Sequence, residues 1–128
     1  MTFAPEGAYG SLNGSNVFTH GIEFGLARNE SHDLQTATDE LLQSLAQGNP
    51  NLRRSSGYDR VSFASRRGLR TVVSNRNEAT GRDETLQVYT TTLRNGNLMY
   101  AIGVAPADEF GSYRRVFDRV VGSLQVVD

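Results

Sequence analysis

The chain contains no cysteine and no lysine. Without cysteine there are no disulfides, no thiolate nucleophile and no cysteine metal ligands, although the redox compartment stays open. Without lysine, all 13 basic residues are arginine, a bias that the codon usage of a GC-rich genome would produce by itself. No apolar run is long enough to span a bilayer, and no signal peptide precedes Phe3. The net charge of -1 creates no global preference for a polyanion or an anionic surface.

Reactive constellations are also missing. A zinc-peptidase helix needs H-E-x-x-H, which places two histidine ligands on one face with the glutamate as base. Neither His20 nor His32 sits in that spacing, and both read as surface or edge histidines. No serine occupies a nucleophile-elbow setting, and Gly7, Gly10 and Gly14 do not form a dinucleotide fingerprint opening a helix. The adjacent acids Asp39-Glu40, Asp83-Glu84 and Asp108-Glu109 read as solvated charges. Neighbours on a strand face opposite ways, and acids suit the other positions on helix grounds alone. The sequence therefore offers no catalytic residue and no metal ligand.

What is present is the pattern of one α+β domain, and 128 residues can bury a sizeable core. Asn95-Gly96 separates two β-rich runs, Glu84 to Arg94 and Asn97 to Ala105, and Asn-Gly is a strong hairpin signal. A two-residue turn would pair Leu93 with Leu98, Thr91 with Tyr100, Tyr89 with Ile102 and Gln87 with Val104. Those residues would then share one largely apolar face. The other face would be smaller in its side chains and half covered. Pro106 ends the second strand. Beyond it Phe110, Tyr113, Val116, Phe117, Val120, Val121 and Leu124 recur at helical spacing, with Arg114, Arg115, Asp118 and Arg119 on the other side and Asp108 as a possible cap.

An earlier helix is expected from about Asp33 to Gln47. Asp33 or Thr36 would cap it, Leu34, Ala37 or Thr38, Leu41, Leu42 and Leu45 would form its stripe, and Gly48 and Pro50 would end it. Val17 to Ala27 reads as a strand interrupted by Gly21 and Gly25, and Glu6 to Ser15 as turn or loop. Tyr58 to Phe63 and Leu69 to Asn75 read as strands joined somewhere in Ala64 to Gly68, and Asn75 to Asp83 as a connecting loop. The order β-α-β-β-β-β-α suggests one mostly antiparallel sheet packed by helices.

Local charge is the one feature with binding capacity. Residues 51–82 carry eight arginines against Asp59 and Glu78. Guanidinium forks suit phosphates and carboxylates through paired hydrogen bonds. Arg53, Arg54, Arg60, Arg66, Arg67 and Arg70 are the candidate binding residues if they share a surface, which would make the domain a stand-alone binder of anionic ligands. Nucleic acid is not expected, because wider positive charge and interleaved aromatics are missing. The plainer reading is a solvated sheet face answering the acidic first fifty residues.

The run Ala37-Thr38-Asp39-Glu40-Leu41-Leu42, then Gly48-Asn49-Pro50, then Thr71-Val72-Val73-Ser74-Asn75 resembles a bacterial domain, as do Gly81-Arg82-Asp83-Glu84, Val104-Ala105-Pro106 and Tyr113 to Phe117 with Ser123-Leu124. That domain is the non-catalytic C-terminal unit that follows the protease domain in some M-48-type zinc metallopeptidases. The resemblance spans about residues 3 to 126 and rests on the order and spacing of short motifs. The C-terminal hairpin and helix also resemble the PsbP/Mog-type α/β/α sandwich, whose members are mostly binding or accessory modules.

The resemblance implies a single accessory domain, excised from a longer parent that reaches the periplasm or cell envelope by a signal outside these residues. It implies protein partners, either substrate proteins or the parent's own catalytic domain. It implies no cofactor here, with zinc held in the parent's catalytic domain, and no membrane insertion. No position matches the family's zinc ligands or catalytic glutamate. Ala64-Ser65 departs from the pattern, where a turn rich in Asn and Gly would be expected.

Overall fold

A computed structural model describes residues 2–3, 9–12, 15–18, 21–28, 33–77 and 81–123. In chain order the strands are β1 (Thr2–Phe3), β2 (Tyr9–Leu12), β3 (Ser15–Phe18) and β4 (Gly21–Ala27). Helix α1 (Leu34–Gly48) follows, then β5 (Arg53–Arg54), β6 (Asp59–Phe63), β7 (Arg66–Arg76), β8 (Asp83–Thr92), β9 (Leu98–Pro106) and helix α2 (Phe110–Ser123). Seven strands form one antiparallel sheet in the order β1-β4-β9-β8-β7-β5, with β6 also paired to β7. Strands β2 and β3 make a separate hairpin, Tyr9 opposite Phe18 and Leu12 opposite Ser15. The α+β class and the antiparallel sheet agree with the sequence. The strands inside 9–15 do not, since that stretch was expected to be turn or loop.

The central hairpin has a different register from the expected one. Thr92 faces Leu98, Thr90 faces Tyr100, Tyr89 faces Ala101 and Val88 faces Ile102. The loop has three residues rather than two. Leu93 donates its N–H to the Asn97 carbonyl, Gly96 donates to the Leu93 carbonyl, and Gly96 sits at φ +86°. This is a turn closed by a glycine bulge, the second-best use of an Asn-Gly pair. One residue of slip exchanges the cross-strand partners, so Tyr89, Thr91 and Leu93 share a face with Met99, Ala101 and Ala105.

Both faces of the hairpin are nonetheless buried, because each carries a helix. On one, Phe117 and Val121 of α2 close over Ile22, Phe24, Phe63, Tyr89, Leu93, Met99 and Ala101. On the other, Leu41, Leu42, Leu45 and Ala46 of α1 pack against Leu52, Val73, Leu86, Val88, Ile102 and Val104. The expectation of a half-covered second face is replaced by a three-layer arrangement, helix on sheet on helix.

Local chemistry explains how each helix is seated. Asp33 caps α1, accepting from the Thr36 N–H at 3.2 Å and from the Thr36 hydroxyl at 2.8 Å. Inside the helix, the buried Thr38 hydroxyl donates to the Leu34 carbonyl, which leaves the Thr90 hydroxyl of β8 to donate to Thr38 at 2.7 Å. α2 approaches the sheet where Gly103 has no side chain, and a Cβ there would lie 2.5 Å from the Phe117 ring. The β6–β7 hairpin turns on Ala64 and Ser65, at φ 53° and 62°. Neither is glycine, so this turn holds two L-residues in a left-handed conformation that disfavours each by about 1–2 kcal/mol.

Two outcomes follow for stability in urea unfolding. Gly103→Ala should destabilise the domain by about 1–3 kcal/mol, since Phe117 must move. Ser65→Gly, at an exposed turn position, should stabilise it by about 0.5–1 kcal/mol. A Gly103→Ala protein as stable as the parent chain would refute the close helix–sheet approach.

Candidate functional site

The strand register divides the six candidate arginines. Opposite partners on neighbouring strands share a face, and residues alternate along each strand. Arg54 lies opposite Val73, Arg60 opposite Leu69, and Arg67 opposite Ser62, which puts these three on the α1 side. Arg70 lies opposite Tyr89 and Arg53 opposite Ser74, on the α2 side with Arg66. No single surface carries all six, so the arginine-rich face expected from the sequence does not form as one unit.

Most of the six are also engaged. Arg53 folds back on its own chain and donates to the Pro50 and Leu52 carbonyls at 3.1 and 2.8 Å. Arg54 donates through Nε to the Ser56 carbonyl, lies 4.0 Å above the Tyr58 ring, and reaches within 3.9 Å of Asp39. Arg66 donates to the Ala64 carbonyl at 3.3 Å. Arg70 bridges Asp118 at 3.1 Å and Asp59 at 3.2 Å. Arg60 and Arg67 form no ion pair among the described residues.

Two polar clusters emerge. The first joins α2 to the sheet: one carboxylate oxygen of Asp118 accepts from the Tyr89 hydroxyl, from Gln87 Nε2 at 3.0 Å and from Arg70 Nη1 at 3.1 Å. Tyr89 and Gln87 are buried. Burial first, and then the bond to Asp118, pushes the Tyr89 hydroxyl well above its ordinary range, so at neutral pH it is a fixed donor and not an acid. Asp118 was expected on the solvent side of its helix. The three donors on the strands draw it inward instead, and no periodicity argument could have shown that.

The second cluster lies at the edge of the α1 face. Tyr58 donates to Asp39 of α1 while Arg54 stacks on the Tyr58 ring. Beside it runs a groove of about 420 Å³, floored by Leu42, Ala46, Leu52 and Val73 and rimmed by Asp39, Gln43 and Arg54. Burial and the neighbouring Asp39 push the Tyr58 hydroxyl up to about 12. An apolar floor with a few oriented polar groups suits the binding of a partly apolar ligand.

The other sequence candidates are placed as follows. Glu84 accepts from the side chain of Asn75 at 2.9 Å, and Asp83 pairs with Arg76 at 3.7 Å. His20 and His32 lie outside the described residues. Among the described residues no three His, Asp or Glu side chains come together to hold a metal, and no helix is long and apolar enough to cross a membrane.

Comparison with known proteins shows the fold alone. No protein-family model and no curated protein matches the chain. Among solved structures it is similar to PA94 from Pseudomonas aeruginosa, a protein of unknown function described as a candidate regulator. The TM-score is 0.60 at 8% identity, over 94% of this chain and 96% of that one.

The two tyrosines make a pH dependence measurable. Unfolded tyrosines ionise near 10, whereas Tyr58 and Tyr89 stay protonated higher in the folded chain. Their contribution to stability is complete below pH about 10 and declines as pH rises from there towards 12. An ultraviolet titration should show Tyr58 and Tyr89 ionising above the ordinary tyrosine range, and Asp118→Asn should bring Tyr89 earlier. Asp118→Ala should destabilise the fold by about 1–3 kcal/mol, because Gln87, Tyr89 and Arg70 lose their common acceptor. Tyr58 and Tyr89 ionising at the ordinary tyrosine value would overturn both assignments.

Proposed function

We propose that this domain is a non-catalytic accessory module of a bacterial zinc metalloendopeptidase, docking polypeptide for the parent enzyme. The polypeptide is either a substrate protein or the parent's own catalytic domain. The parent holds the zinc and works in the periplasm or cell envelope.

The observation that carries this reading is the groove beside α1. Its floor of Leu42, Ala46, Leu52 and Val73 accepts apolar side chains, and Gln43 and Asp39 on the rim offer amide-complementary groups. Arg54 is held in place by Ser56 and the Tyr58 ring, so the rim charge is oriented before a partner arrives. Three of the motif runs behind the metallopeptidase resemblance lie in this region, Ala37 to Leu42 in α1, Gly48 to Pro50 at its end and Thr71 to Asn75 in β7, while the others fall at the start of β8, the end of β9 and in α2. PA94's description as a candidate regulator is compatible with a binding role, and the shared fold adds nothing finer.

The test is a calorimetric titration of residues 1–128 against the separately expressed catalytic part of the parent, and against an unfolded substrate protein. Saturable binding to one of them is expected, weakened at least tenfold by Leu42→Asp and by Arg54→Glu. Absence of binding to both would refute docking, and proteolysis by the purified domain that a metal chelator abolishes would refute the non-catalytic role.

A further inference from the structure

We propose that the α1-side face of the β6–β7 hairpin is a binding site for a small organic anion, with Arg60 and Arg67 clamping a carboxylate or phosphate head and an apolar stem lying along Leu34 and Leu69. It shares no residue with the docking groove and stands whether or not that reading does.

The register builds the clamp. Arg60 pairs with Leu69 and Ser62 with Arg67, so the two arginines are diagonal neighbours on one face of an antiparallel pair. Side chains so placed start roughly 7–8 Å apart and can converge on one ligand atom group. The same register brings Ser62 onto that face between them, and its hydroxyl has no partner among the described residues. Two like charges as neighbours repel each other, and an acid on the same face would ordinarily relieve this. Asp59, the only acid in the two strands, alternates to the other face and is taken by Arg70. An anion from solution supplies the missing charge, and guanidinium forks bind carboxylate and phosphate oxygens in pairs.

Space is available at this point. A groove of about 560 Å³ opens among Leu34, Arg60, Val61, Ser62, Arg67 and Leu69, within the range of small-molecule sites. Its apolar walls are Leu34, the first residue of α1, and Leu69 of β7, both half-exposed, while the Val61 side chain turns to the α2 side. Bare phosphate would leave those walls in water, whereas an alkyl or aryl stem would cover them. This is why the ligand is assigned as amphiphilic.

Amide NMR titrations of the whole chain with hexyl phosphate, hexanoate, hexanol and inorganic phosphate test the assignment. One or both of the hexyl anions should give saturable shifts centred on Ser62, Gly68 and Leu69, and the tighter of the two identifies the head group. Hexanol should give none, and inorganic phosphate should bind at least tenfold more weakly than hexyl phosphate. Arg60→Gln with Arg67→Gln should weaken binding at least tenfold. Both side chains are exposed, and the amide spectrum of the variant reports that it folds; if it does not, each single substitution is used and should lower affinity. Shifts that do not saturate, that spread over other surfaces, or that persist unchanged in the variants overturn the site. Equal affinity for inorganic and hexyl phosphate overturns the apolar half of it.

Discussion

Strands β8 and β9 have no face that meets water over most of their length. Leu86 through Thr91 are buried without a break, and Leu98, Met99 and Ala101 to Pro106 are buried as well. A hairpin that is apolar on both sides cannot remain a two-layer structure, because whichever face stayed open would expose a contiguous apolar patch. One helix must therefore cross each side, and the chain supplies them from opposite directions, α1 before the sheet's main strands and α2 after them. Everything else in the domain is arranged around that requirement, including the buried Thr38–Thr90 hydroxyl pair under one helix and the Asp118 acceptor under the other.

This same two-sidedness limits what the sequence reveals. When one face of a strand is core and the other is solvent, alternation specifies the register, and a slip of one residue is costly. Here Val88 and Tyr89 are both core, so the pattern tolerates either partner set. The decision passes to the loop, where Gly96 in a left-handed conformation adds a residue to the turn. Elements with one-sided patterns were legible: α1 starts at its Asp33 cap and ends at Gly48, and α2 runs from Phe110. The hairpin of β2 and β3 was not, because Gly- and Ser-rich sequence reads as loop even though Asn13-Gly14 stands between the two strands.

The polar clusters were harder to foresee for a related reason. Composition showed an excess of arginine over acid within residues 51–82, but a strand sends consecutive side chains to opposite sides. The six candidate arginines became two sets of three in space. Asp118, the acid that engages Arg70, is 48 residues away along the chain, and Asp39, beside Arg54, belongs to a helix that precedes the arginines. Long-range pairing of this kind follows from topology, which local reading does not carry. Arg60 and Arg67, which form no ion pair among the described residues, are neighbours only because β6 and β7 form a tight hairpin.

One edge of the sheet has a further property. Strand β7 is 11 residues long, yet its outer side is shared by two short strands, β5 of two residues and β6 of five. Between them Ser55 and Ser56 both donate to the single carbonyl of Val72, which interrupts the ladder. A long unpaired strand would offer another molecule a template for continuous pairing, and such edges drive aggregation. Here the template is broken into pieces too short to extend and studded with Arg53, Arg54, Asp59 and Arg60. At high concentration, the charged and discontinuous border along this side gives a second molecule little to extend into a shared sheet.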